Sequence, residues 1–283
     1  MSTPLYELTV IVGVALRDGQ RGATIGDHGG TPVSDQAETI RLNKRLAQLG
    51  FCSRREADVF IAAGQVMVNG VVVTEMGTRV LASDQVALSD EAAESQRNKP
   101  TIIMNKPLGW VSGQPEDGYR AAVELVELDN LDPKHPWRPW GRGHPPAQWR
   151  RGLAPAGRLD IDSTGLLILT ADGVIARQLV GQERRIDKEY VVRVSGHIGP
   201  EQLKRLRHGL SLDGKTLLPA KVEQLAEDKL KLILREGRKR QVRRMCELVG
   251  LRVRSLVRTR IGRVKLGHLP RGKFRFLRPD ERF

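Results

Sequence analysis

Residues 157–173, GRLDIDSTGLLILTADG, constrain this chain more than any other segment. Asp160 and Asp162 sit in a polar, turn-like stretch. Ser163, Thr164 and Gly165 follow, residue types that favour tight backbone geometry. The apolar run LLILT then reads as a buried strand. Two carboxylates at the entrance of such a strand have two readings. An Asx turn is the commoner meaning of Asp before Ser, Thr and Gly. The other is a carboxylate presented at a site.

The pattern around this segment is α+β. TIIMNKP reads as a strand stopped by Pro107 and Gly109; EYVVRV and KLKLIL are further strands, and RVRSLVRTRIG and GKFRFL carry the last ones. PEQLKRLRHGL and RQVRRMCELVG read as helices, the second ended by Gly250, and Asp213-Gly214 is a turn. Residues 100–283 are therefore expected to form one larger domain, a mixed, mostly antiparallel sheet flanked by helices. Upstream, Leu42, Leu46 and Leu49 share one helical face before Gly50. Ser53 and Glu56 have capping-box spacing on a helix ended by Gly64. Val66 and Val68, the turn residues Asn69-Gly70 and a strand over 85–88 complete a small helix–helix–hairpin module spanning 40–90. Residues 91–99 read as a polar linker, and residues 1–39 as a flexible arm. The apolar run from Leu8 to Leu16 is either a strand or an accidental extension. Residues 129–152 are an irregular basic loop, with Trp137, Trp140 and Trp149 open between local packing and base stacking.

Charge narrows the partner. Lys and Arg number 47 against 33 Asp and Glu, a net +14 with a pI near 10.3. Such a surplus favours a polyanion, since cations that neutralise phosphates release counterions; an acidic membrane surface attracts it too. Cys52 and Cys246 lie in helical apolar patterns without disulfide or metal spacing and read as core residues. His28, His135, His144, His197, His208 and His268 are scattered, so no metal site is expected. No phosphate-binding GxxxxGK[ST] or GxGxxG loop occurs, so no nucleotide cofactor is expected either. No run reaches the length of a membrane span, and no convincing leader is visible, so the chain is read as cytosolic.

A second chemistry-bearing segment is REGRKRQVRRM, residues 235–245, with six Arg or Lys in eleven positions. It could be a solvated basic face. However, Val242, Met245, Cys246 and Val249 make the same helix amphipathic, which brings some of its arginines near the buried side. Together the two segments suggest a carboxylate held by an arginine in a basic cleft. An adjacent cation keeps a carboxylate ionised. That suits a nucleophile or base acting on a neutral nucleobase better than a proton donor.

These residues resemble the pseudouridine synthases of the ribosomal small- and large-subunit branch. GRLDIDSTGLLILTADG is similar to that family's catalytic motif, KEYVVRV to its second and EGRKRQVRRM to its third. MNKPLGWVS resembles its lysine–proline–glycine strand and turn. Residues 41–88 resemble the RNA-binding module first seen in ribosomal protein S4. The resemblance implies the pseudouridine synthase fold and isomerisation of a uridine without a cofactor. By position it implies Asp160 as the catalytic aspartate, Tyr190 stacked on the uracil, and Arg243 paired with the Asp160 carboxylate. Arg158 would fill the space left by the flipped nucleotide. Arg238, Arg240 and Arg244 are close enough in sequence to exchange roles with Arg243, and Arg238 and Arg240 are expected to contact RNA. Arg41, Lys44, Arg45, Arg54 and Arg55 cluster in the small module and are expected to contact RNA, although a solvated face has the same composition.

LAPAGRLDIDSTGLL and REGRKRQVRRMCELVGLRV are most similar to the large-subunit enzymes of the F type, which implies a 23S ribosomal RNA substrate, free or in assembling subunits, for a monomeric enzyme. A 16S or transfer RNA uridine is the alternative substrate. The alternative of another class is a non-catalytic ribosome-assembly protein. The chain departs from the family at Ser163-Thr164, Ala171, Lys239 and Leu108, none of them a proposed catalytic group.

Overall fold

The computed structural model describes residues 38–115, 118–141, 143–181 and 186–283. The chain divides into two compact units between Arg97 and Asn98. The arm read over residues 1–39, with its Leu8 to Leu16 run, lies outside the described residues except for its last two.

The first unit begins with β1 (Thr39–Arg41), α1 (Leu42–Leu49) and α2 (Arg54–Ala62). α1 stops at Gly50, whose φ of 81° suits a residue without Cβ. Leu42, Leu46 and Ala47 are buried; Leu49, expected on that face, is exposed because the helix ends there. The Ser53 box forms as expected: Glu56 N donates to Ser53 Oγ at 3.3 Å and Ser53 N to Glu56 Oε2 at 2.6 Å. β2 (Val66–Val68) and β3 (Val71–Val72) form the hairpin, with Asn69 and Gly70 at φ 50° and 81°. β4 (Arg79–Leu81) pairs β1, and β5 (Val86–Leu88) pairs β2. Residues 91–99, read as linker, instead lie largely in α3 (Asp90–Arg97). Ser89 Oγ accepts from Ala92 N, while Asp90 and Glu91 in the first turn and Arg97 in the last oppose the helix dipole. Ala92 alone on α3 is buried in this unit's core, so no apolar stripe announced the helix.

The second unit contains β6 (Thr101–Lys106), β7 (Ala154–Pro155), β8 (Thr164–Thr170), α4 (Gly173–Val180), β9 (Lys188–Ser195) and α5 (Pro200–Arg207). β10 (Ser211–Leu212), β11 (Lys215–Thr216), β12 (Lys221–Ala226), β13 (Lys229–Leu234), α6 (Gln241–Leu248), β14 (Arg252–Ile261), β15 (Val264–Lys265) and β16 (Phe274–Phe276) follow. The main sheet has the order β12-β13-β9-β14-β8-β6-β16, with β15 on β14 and β7 on β8. Among the strand pairings of the described residues, that of β14 with β8 alone is parallel. β8 is buried throughout because both faces are covered. Leu167 and Leu169 join one core with Tyr190, Val192, Met245 and Phe276, while Leu166 and Ile168 join the other with Leu179 and Ile261.

α4 escaped sequence reading; Asp172 Oδ1 caps it by accepting from Val174 N and Ile175 N. The tryptophans of the basic loop pack against the core around Phe276, Trp140 and Trp149 at 5.2 and 5.7 Å between ring centroids. Packing on the core, against a distant partner in sequence, therefore accounts for them. Cys52 and Cys246 are both buried, as core residues should be.

Candidate active site

Asp160 lies on the loop between β7 and β8, and the carbonyls of Arg158, Leu159, Ile161 and Asp162 around it are held from outside. Arg258 Nη1 donates to Arg158 O at 3.1 Å and Arg258 Nε to Leu166 O at 2.7 Å, bracketing the loop. Ser112 Oγ donates to Leu159 O at 2.6 Å and accepts from Leu159 N at 2.9 Å. Gly109 N donates to Ile161 O, and Arg243 Nη2 donates to Asp162 O at 2.7 Å. Among the described residues no hydrogen bond or ion pair reaches the Asp160 carboxylate itself. The loop is pinned and its carboxylate is unspent, the arrangement a preorganised reactive group needs.

The arginine partner differs from expectation. Arg243 Nε lies 3.2 Å from Asp162 Oδ2, and Arg240 Nη2 lies 3.0 Å from the same oxygen. Both arginines thus hold Asp162, two residues beyond Asp160, where the sequence resemblance put Arg243 on Asp160. The reason is geometric: with Nη2 on the Asp162 carbonyl, Arg243 has its Nε beside the carboxylate of that same residue. Asp162→Ala should cost about 1–3 kcal/mol in denaturant unfolding, because Arg243 is nearly buried and loses its counter-charge while Asp162 is partly screened. Turnover should fall about 10–100-fold as the Asp160 loop loosens. Unchanged stability and rate would mean the pair does not hold the loop.

A cavity of about 400 Å³ opens beside the loop. Asp160, Tyr190, Arg243, Arg158, Arg238 and Arg240 all line it, so the structure gathers the six expected residues of this unit. Tyr190 is 9% exposed and lies across the sheet from Leu232 on one side and Arg258 on the other. Arg158 is exposed at the loop's start. Arg238 turns its guanidinium to the carbonyls of Leu212, Lys215 and Thr216, so it steadies the β10–β11 hairpin. Arg244 pairs with Asp213 on the same hairpin. In the first unit Arg41, Lys44, Arg54 and Arg55 are exposed, and Arg45 is half-buried with Nη2 on Ala82 O.

Three cations were missed as site residues. Lys188 and Arg258 line the cavity. Lys106, fully buried at the end of β6, donates to Pro107 O at 2.9 Å and Trp110 O at 2.8 Å and reaches Ile161 O at 3.5 Å. Burial lowers its ammonium from 10.5 to about 8, against the attraction of Asp162 and Asp160. An unfolded lysine keeps its proton to the higher value, so between the two the unfolded state binds more protons and folding gains with rising pH. Relative to Lys106→Met, wild-type stability should therefore rise by about 3 kcal/mol between neutral pH and about pH 10, measured by urea unfolding. A flat difference would mean that Lys106 titrates as it does in water.

Among the described residues no group of three His, Cys, Asp or Glu could hold a metal ion, and no helix is long and apolar enough to cross a membrane.

The chain matches the family model for RNA pseudouridylate synthase over residues 100–248 and that for the S4 domain over residues 40–86. It is 37% identical over 248 residues to ribosomal large subunit pseudouridine synthase B of Bacillus subtilis (strain 168), covering 85% of this chain and 93% of the relative. It is 35% identical over 245 residues to dual-specificity RNA pseudouridine synthase RluF of Escherichia coli (strain K12), covering 86% and 77%. A crystal structure of a pseudouridylate synthase superimposes with a TM-score of 0.55 at 25% identity, covering 84% of this chain and 96% of that one.

Proposed function

The chain belongs to the RNA pseudouridylate synthase family, and from that premise we propose that it isomerises one uridine of 23S ribosomal RNA, with Asp160 as the catalytic carboxylate. The observation that carries this reading is the unspent Asp160 carboxylate on an otherwise pinned loop, at the wall of a cavity that also holds Tyr190. A protein that only bound RNA would gain nothing from a free carboxylate among cations, where it repels phosphate.

The target base leaves its stack and enters the cavity, a step that costs a few kcal/mol and is offset by phosphate contacts and by stacking on Tyr190. Arg158, exposed beside the cavity, fills the gap left in the RNA. Asp160 attacks as a nucleophile or acts as a base while the bond from ribose C1′ to N1 breaks. The uracil rotates, C1′ bonds to C5, and the C5 proton is exchanged for one on N1, so no atom is gained or lost. Arg243 and Arg240 serve this step through Asp162 by keeping the loop in place. Arg41, Lys44, Arg45, Arg54 and Arg55 of the S4 unit contact RNA phosphates. The enzyme acts as a monomer in the cytoplasm, on ribosomal RNA free or in assembling subunits.

The relatives' names support ribosomal RNA, and the dual-specificity name of one of them makes a second RNA substrate worth testing. Pseudouridine mapping by carbodiimide labelling and primer extension, on RNA from cells with and without this gene, tests the proposal. Loss of one 23S site, restored by the wild-type gene, is expected. A lost 16S or transfer RNA site would correct the substrate, and no lost site would remove the activity.

A further inference from the structure

Arg258 carries a guanidinium into the core at 2% exposure, and the loop it staples uses only part of it. Nε and Nη1 hold the carbonyls of Leu166 and Arg158. Nη2 is buried and has no hydrogen-bond partner among the described residues, and no described carboxylate forms an ion pair with the side chain. A buried charged donor left unmade bears its full desolvation penalty, so such a group calls for an acceptor that arrives later.

A second cation stands nearby. Lys188 lines the same cavity from β9, on the face of Tyr190, and Tyr190 lies opposite Arg258 in the sheet register. Among the described residues its Nζ reaches only Ile186 O, at 3.4 Å. Burial, then the Arg258 charge, hold the Lys188 ammonium below its ordinary range; the neighbouring Asp187 opposes this but is itself bonded to Arg235. Seven Lys or Arg side chains and two carboxylates line the cavity. Of the two, Glu236 is already engaged by Arg238, Gln241 and Leu218 N, which leaves Asp160.

We propose that Arg258 and Lys188 form a seat for a phosphate group of the nucleotide whose base enters the cavity, an inference that rests on the function proposed above. Two full positive charges in a poorly solvated wall are offset by a full anion, whereas a neutral uracil carbonyl leaves them unpaired. Because the same guanidinium holds Arg158 O, seating the phosphate also sets the loop that carries Asp160.

Equilibrium dialysis of the full chain at one ionic strength, with uridine, uridine 5′-monophosphate and uridine 3′-monophosphate, tests this. Wild type should hold one monophosphate at least about tenfold more tightly than uridine. Lys188→Gln should bring that preference within about threefold by weakening the monophosphate, not by tightening uridine. Arg258→Lys, which keeps the charge but removes the fork and the hold on the Asp160 loop, should also bring the preference within about threefold; if it fails to fold, the half-buried Lys188 carries the test. Lys204→Gln, outside the cavity on α5, should leave the preference intact. A wild-type preference below about threefold for both monophosphates, its retention in Lys188→Gln, or an equal loss in Lys204→Gln would overturn the seat. Dialysis needs no turnover, so pseudouridine formation without a phosphate preference would sink the seat alone. A preference in a chain that modifies no RNA would sink the function instead.

Discussion

Asp160→Asn should lower pseudouridine formation by about a thousandfold or more while RNA affinity stays within a few-fold. The substitution preserves shape and removes only the charge and basicity of the group. Since no described residue hydrogen-bonds or ion-pairs with the Asp160 carboxylate, the fold loses only its longer-range attraction for Lys106 and Arg240, and unfolding free energy should change by less than about 1 kcal/mol. Tritium release from C5-labelled RNA reports turnover directly, because that proton must leave when C1′ bonds to C5. Retained turnover would take Asp160 out of the mechanism. A loss of both turnover and fold would show that the carboxylate has a structural partner.

Among the described glycines, Gly165→Ala should be the most damaging substitution, at about 3–5 kcal/mol. Gly165 has φ +104°, and an added Cβ would lie 2.4 Å from Arg258 O and 2.8 Å from Arg258 N. Neither atom can yield, since both belong to the backbone of β14 in the parallel pairing of Gly165 with Arg258. The opposite side is closed as well, by Lys106 of β6. The strain therefore falls on a central strand, next to the loop that carries Asp160. A fall in Tm of about 10 °C is expected for a domain of this size. A shift of only a degree or two would mean that the β8–β14 pairing can open at little cost.

Both predictions sit in the one segment where reading from residues went furthest, and its neighbours show where such reading stopped. The Ser53 box, the Asn69-Gly70 hairpin and the Asp213-Gly214 turn formed as expected, since each depends on atoms within a few residues. α3 escaped because a helix that buries only Ala92 has no apolar stripe to read. The three tryptophans stayed undecided because their packing partner, Phe276, is more than a hundred residues downstream.

What the sequence determined by itself was the α+β pattern and the family, and it singled out Asp160 and Tyr190, which the fold brings to one cavity. Local periodicity, turn chemistry and motif spacing are properties of contiguous residues and survive without coordinates. Only the tertiary structure decided which charges meet. Arg243 reaches the Asp162 backbone across 81 positions and Arg258 reaches Leu166 across 92. Those distances close only when β14 has docked in parallel beside β8 and α6 has packed on the sheet. An arginine can exchange one carboxylate for another two residues away at little local cost, so the choice between Asp160 and Asp162 is made by packing.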